Sequence, residues 1–289
     1  MKRCLVVLLM LATQVAAQSP YGAKPVITYR NQPLEAVAVN VVSNALVGSI
    51  GSLLHKPKGM SAGRALLRGA ARGAAGGAMI YLGKALSSQI YHERNIWYGW
   101  GSRAVVSLGA SMVENTILHK PLLGRYGIDV GPMFVTIERG HVRLQVMPLA
   151  AAFTVSELLA RKSINWEASG QLGTLIFNSG SLPYEGLYNK GSFTVSPGYQ
   201  VCSQAWHGSV AHEHLHALQF RESLVINQWA RVQPKGFWRV FKVDFTPFDL
   251  LYPLLGDGIQ QSTNWYEREA QLFSTGMNNP TRLLNTRVP

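Results

Sequence analysis

The run His212-Glu213-His214-Leu215-His216 sets two imidazoles four residues apart, with a carboxylate directly after the first. On a helix, residues i and i+4 stand on one face about one turn apart, so His212 and His216 can share one tetrahedral ion. Glu213 is then placed to take a proton from a water on that ion and later to pass one to a leaving group. Zinc suits imidazole ligands and lowers the pKa of such a water from 15.7 to about 7. The chemistry expected of these residues is therefore zinc-dependent hydrolysis, with Glu213 as the general base.

A catalytic zinc site needs a third protein ligand and one open position. Farther along the same helix stand Gln219 and Glu222. With no glycine to turn the chain, a continuous helix points Glu222 away from the His212/His216 edge. The segment Asn264-Trp265-Tyr266-Glu267-Arg268-Glu269-Ala270-Gln271 is the better source. Glu267 and Glu269 lie about 200° apart around a helix, so only one can face the ion. Glu267 also falls three residues after Asn264, where it would complete a capping box with no metal involved. Gln219 is on the His216 side and is expected to hold a ligand or a backbone group by hydrogen bonding. His214, about 200° from His212, is expected in the core or behind the site. Tyr252, Tyr266 and Arg268 are candidate donors to a developing oxyanion.

The pattern His212-Glu213-x-x-His216 with Glu267-x-Glu269-Ala270 downstream resembles the gluzincin peptidases, in which a glutamate on a second helix completes the zinc site. It is similar in particular to the CAAX prenyl endopeptidases and their bacterial membrane relatives. That resemblance implies Glu267 as the third ligand, with Glu269 as the alternative. At the fifth position of the second motif this chain has Gln271 in place of the family's Asp, so a carboxylate that would steady the ligands is absent. The likeness covers the C-terminal part only. The chain as a whole also resembles an uncharacterised family of exported bacterial proteins with a Gly/Ala-rich front half.

The elements that must position these residues are of two kinds. Residues 34 to 118 are rich in Ala, Gly, Leu and Val and read as helices over Leu34–Leu54, Ser61–Ser88 and Ser102–Leu118, with Ser61 and Ser102 as N-caps. Arg64, Arg68 and Arg72 recur on one face of the second helix, and Gly69, Gly73 and Gly77 on a neighbouring one. Small residues so spaced let two helices approach closely, while the arginines argue for a packed helical subdomain rather than a lipid span and leave surface association open. From Gly131 the period changes to two. Val135–Val146 predicts a hairpin, and Ala152–Val155, Thr174–Phe177 and Ser192–Val195 predict further strands of one small antiparallel sheet. Ser192–Val195 is a candidate edge for an extended peptide to join by strand addition. A long helix over Gln204–Trp229 then carries the histidines, and a short one over Asn264–Ser274 carries the glutamates. The fold class expected is α+β.

Lys2 and Arg3, the apolar run Cys4–Ala12 and Val15-Ala16-Ala17 have the layout of a secretory signal peptide, and the apolar run is too short to span a bilayer. The expected organisation is a signal peptide over 1–17, a helical Gly/Ala-rich region over 18–125, and a sheet with a zincin-like catalytic region over 126–289. Once Cys4 leaves with the leader, Cys202 is the only cysteine, so no internal disulfide is expected. Export argues against nucleic acid as a partner for the net charge of +12, and leaves anionic lipid, envelope polymers or plain solubility. The resulting expectation is a metallopeptidase in the periplasm or cell envelope of a bacterium, acting on peptide or protein. The alternative is a non-catalytic, membrane-associated envelope protein with a degenerate zincin site.

Overall fold

The computed structural model describes residues 32–159, 163–178, 193–196, 199–202, 206–230, 236–244 and 265–275. The expected signal peptide, Tyr252 and the possible cap Asn264 lie outside them. Helix α1 is Gln32–Leu54 and α2 is Ala62–Ser87. Ser61 caps α2 as expected, its hydroxyl accepting from the Arg64 N–H at 3.3 Å. The glycine stripe of α2 is the α1–α2 seam. A Cβ on Gly69 would lie 2.6 Å from the Gly48 carbonyl oxygen, and one on Gly73 or Gly77 would strike the carbonyls of Asn44 or Asn40. Backbones this close leave no room for any side chain larger than hydrogen.

After the short α3 (Gln89–His92), α4 spans Tyr98–Ile117. It begins four residues before the expected start. Ser102 is thus not an N-cap but a fully buried interior residue, its hydroxyl donating to the Gly99 carbonyl at 2.9 Å. A second glycine face of α2 meets this helix, since a Cβ on Gly76 would lie 2.8 Å from the Gly109 oxygen.

Strands β1 (Arg125–Val130), β2 (Met133–Glu138) and β3 (His141–Val146) form an antiparallel meander. The predicted hairpin is β2–β3, and it turns through Arg139 and Gly140, both at positive φ. The expectation of one antiparallel sheet is corrected beyond this point. Residues 152 to 155 belong to helix α5 (Pro148–Leu159). Pro148 is preset for a first helical turn, Asp244 accepts from the Ala150 N–H at 2.8 Å, and the Thr154 hydroxyl bonds back to the Ala150 carbonyl. These contacts override the strand preference of Phe153, Thr154 and Val155. A second sheet follows, built from β4 (Ser163–Ile164), β5 (Leu175–Asn178), β6 (Phe193–Ser196) and β7 (Tyr199–Cys202), with α6 (Trp166–Leu172) between β4 and β5. Its order is β4-β5-β7-β6, and the β5–β7 pair is parallel.

Helix α7 (Trp206–Ser223) runs on into a 3-10 stretch, Leu224–Ala230, and α8 is Trp265–Thr275. The fold is α+β. Residues 32 to 289 make up one unit, with α4 packed on both β1 and α7. Its largest apolar cluster joins Ala36, Ile80, Val106 and Val113 of the front helices to Leu215 and Leu218 of α7 and Phe273 of α8. The Gly/Ala-rich helices are therefore the wall on which the histidine helix rests.

Candidate metal centre

Along α7 from Val210 to Arg221, only His212 is not fully buried. The helix has polar residues on every side, and each side meets a different partner. His212 and His216 share one edge, as the four-residue spacing requires, and α8 brings Glu267 across from them. The Nε2 atoms of the two histidines are 3.1 Å apart. Glu267 Oε2 is 3.2 Å from His212 Nε2, and Oε1 is 3.4 Å from His216 Nε2. Two donors bound to zinc at tetrahedral angles and ordinary bond lengths stand about 3.3 Å apart. The three separations are thus the edges of one face of such a tetrahedron, so the donor set fits a zinc ion.

The ring of His216 is oriented from behind. Gln219 Nε2 donates to the Tyr266 carbonyl at 3.0 Å and to Glu269 Oε2 at 2.8 Å. Both partners are acceptors, so the amide NH2 must face them and its oxygen must face His216. Gln219 Oε1 then accepts from His216 Nδ1–H at 2.8 Å. In the neutral ring this leaves the Nε2 lone pair pointing at His212 and Glu267, the tautomer that a metal ligand needs. Burial opposes a charge on His216, but Glu267, Glu213 and Gln219 outweigh it and raise its pKa. The pocket between the three side chains therefore favours positive charge. Glu213 is itself buried on the same turn.

Glu269 belongs to a different cluster. Its carboxylate is 1% exposed and receives the Lys84 ammonium at 2.9 and 3.1 Å and the Asn40 amide at 2.6 Å. Lys84 also donates to Glu222 Oε2 at 2.6 Å and to Asn40 Oδ1 at 2.9 Å, and Asn44 donates to Glu222 Oε1 at 2.7 Å. Burial alone would lower the Lys84 pKa, but Glu222 and Glu269 reverse the sign and raise it. Glu267 and Glu269 face opposite ways on α8, as their angular separation demands. The structure thus separates the two expected alternatives: Glu267 joins the histidines and Glu269 anchors Gln219.

The remaining side of α7 is held by α4 and β1. Ser102, already donating to Gly99, accepts from His214 Nε2–H at 2.7 Å. Burial, then the charge of Arg103, holds the His214 pKa well below the ordinary value, so this ring is a neutral structural group. Arg221 Nη1 pairs with Glu114 at 3.2 Å and Nη2 donates to the Gly127 carbonyl at 3.0 Å. Arg103 pairs with Asp129 in the same buried layer.

One expected helper, Arg268, is turned away from the three ligands. Arg268 pairs with Glu35 at 2.7 Å and lies over the Trp265 ring, because one residue beyond Glu267 turns it about 100° around α8. Tyr266 has its pKa pushed up to about 12, by burial and then Glu222, with Lys84 opposing and Glu269 adding. Its phenol thus senses the lysine cluster.

Sequence reasoning missed Lys84, Arg103 and Glu114. Lys84 is the only Lys, Arg, Asp or Glu between Arg72 and Glu93, and Arg103 and Glu114 are the only ones between Arg94 and Lys120. A lone charge in a small-residue helix is a usable signal, since charged groups are buried only when paired. No family model, curated protein or solved structure matches the chain.

Proposed function

We propose that this protein is a zinc-dependent hydrolase, with a peptidase activity at the cell envelope, and that its centre is of the zincin type. The observation that carries the reading is the tetrahedral-edge spacing of His212, His216 and Glu267. A zinc ion held there would supply a polarising charge and a water acidified to about neutral pKa. His216 presents its Nε2 because Gln219 fixes the proton on Nδ1. His212 is the ligand nearest solvent, so substrate approaches on its side. Glu213 takes the proton of the attacking water on its carboxylate and returns it to the leaving nitrogen.

A peptide substrate is favoured by strand β6. It is an edge of the second sheet, pairs among the described residues with β7 alone, and packs against α7. An extended chain added there would lie beside the histidine helix and be held by backbone hydrogen bonds.

The test is metal analysis joined to hydrolysis of an unstructured protein such as casein. The purified chain is expected to hold about one zinc per molecule, as such sites do. Glu213→Gln should keep that zinc and lose hydrolysis, whereas Glu267→Ala should lose both. A chain that binds no zinc when zinc is supplied ends this reading. A chain that binds zinc but in which Glu213→Gln changes nothing makes the site structural.

A further inference from the structure

Helix α1 is built inside out for a protein in water. Its buried positions are Ala36, Asn40, Asn44, Gly48, Gly51 and Ser52. Its exposed positions are Leu34, Glu35, Ala38, Val42, Leu46 and Leu54, with Glu35 paired to Arg268 at the N-terminal end of an otherwise aliphatic ridge. No charged residue occurs between Ala36 and Leu54. A helix on a water-facing surface normally shows the reverse arrangement. Leu34–Leu54 is long and apolar enough to cross a membrane, and 28% of its most apolar window is buried.

The neighbouring outer face of α2 continues the pattern. Leu67, Ala71, Ala75, Ala78 and Leu82 are exposed, while Gly73, Gly76, Gly77 and Lys84 are buried. Single exposed aliphatic residues are ordinary, but a contiguous sheet of them along two adjacent helices marks an interaction surface. At 1.5 Å per residue, α1 is about as long as a bilayer's hydrocarbon core is thick.

The charges identify the occupant. Lys56 and Lys58 of the α1–α2 connector and Arg64 and Arg68 at the start of α2 are all exposed at one end of this face. No exposed acidic residue stands on that end between Leu54 and Leu82. Cations at the rim of an uncharged aliphatic face complement a surface that is anionic at its headgroups and apolar beneath them.

We infer that an anionic lipid bilayer covers the outer face of the α1–α2 pair, with the aliphatic ridge among the acyl chains and the four cations on headgroup phosphates. This arrangement holds the histidine helix, which packs on the inner side of the same helices, close to a membrane. It stands or falls separately from the zinc reading.

The experiment is flotation of the full chain on phosphatidylcholine vesicles with and without phosphatidylglycerol, with zinc content and oligomeric state measured on each preparation. The unchanged chain is expected to float with the anionic vesicles. Val42→Glu with Leu46→Glu should cut partitioning at least about 100-fold, since each charge is strongly disfavoured in lipid. Replacing Lys56, Lys58, Arg64 and Arg68 by Gln should reduce the preference for anionic vesicles about fivefold per cation. Unchanged circular dichroism and thermal unfolding in both variants would show that the fold persists, whether or not zinc is bound. Any binding by the N-terminal apolar run is common to all three chains, so equal flotation of the three overturns the inference. A dimer in solution that Leu46→Glu dissociates also overturns it, in favour of a second copy on this face.

Discussion

Replacing Lys84 by Met removes the ammonium and keeps most of the side chain's length and apolar stem. In the native protein that ammonium serves two carboxylates and the Asn40 amide. Glu222 is 20% exposed and can recover water, so its loss is partly offset. Glu269 is 1% exposed and has no such recourse. Breaking a buried ion pair by removing one partner costs about 3–5 kcal/mol, and the hydration open to Glu222 puts this case near the lower figure. Among the described residues the Glu269 carboxylate is then held by the neutral amides of Asn40 and Gln219 alone, and as it shifts to meet them Gln219 loses its fixed orientation toward His216. Support of this kind behind a metal ligand is worth about 10- to 100-fold in affinity. The assay pairs denaturant unfolding of the metal-free chain with zinc competition against a chelator. Lys84→Met is expected to lower both stability and zinc affinity, and adding Glu269→Gln should recover part of the stability by removing the stranded charge. A Lys84→Met protein within about 1 kcal/mol of the original and with unchanged zinc affinity would refute the reasoning, since that range is what exposed pairs contribute.

Acid stability should report Glu114. Burial would raise this carboxyl, but Lys242, Arg221 and Arg125 outweigh it and hold its pKa at about 2. A depressed carboxylate stabilises the fold fully above its ordinary 4.5 and loses that contribution as pH falls through about 2. The shift corresponds to about 3 kcal/mol. Thermal unfolding of metal-free protein should therefore show the deficit of Glu114→Gln shrinking below pH 4.5, and a deficit constant with pH would contradict this. At the α1–α2 seam, Gly69→Ala places a Cβ against the Gly48 carbonyl and should cost about 1–3 kcal/mol, as overpacking does. Unaltered unfolding of that variant would mean the seam is looser than described.

How much of this was legible beforehand depends on the range over which a side chain finds its partner. The histidine pair, its helix, the Ser61 cap, the glycine seam and the β2–β3 hairpin follow from spacings within a turn or a pleat, which the sequence states directly. The strand expected at residues 152 to 155 failed because Phe-Thr-Val prefers a strand, while Pro148 and the distant Asp244 imposed a helix.

What the sequence determined by itself is the chemistry that two imidazoles and a carboxylate on one helical turn can offer. It also fixed that Glu267 and Glu269 could not both face the same ion. Only the tertiary structure decided which of them does, because α7 has no apolar stripe from which its orientation can be read. Its polar residues are buried on all sides, and their partners come from distant parts of the chain: Ser102 and Glu114 of α4 for His214 and Arg221, and Lys84 of α2, through Glu269 of α8 and Gln219, for His216. Helical periodicity carries no information about contacts across more than a hundred residues of chain. Those contacts follow from how glycine-lined helices pack, and that packing is settled only when the whole core closes.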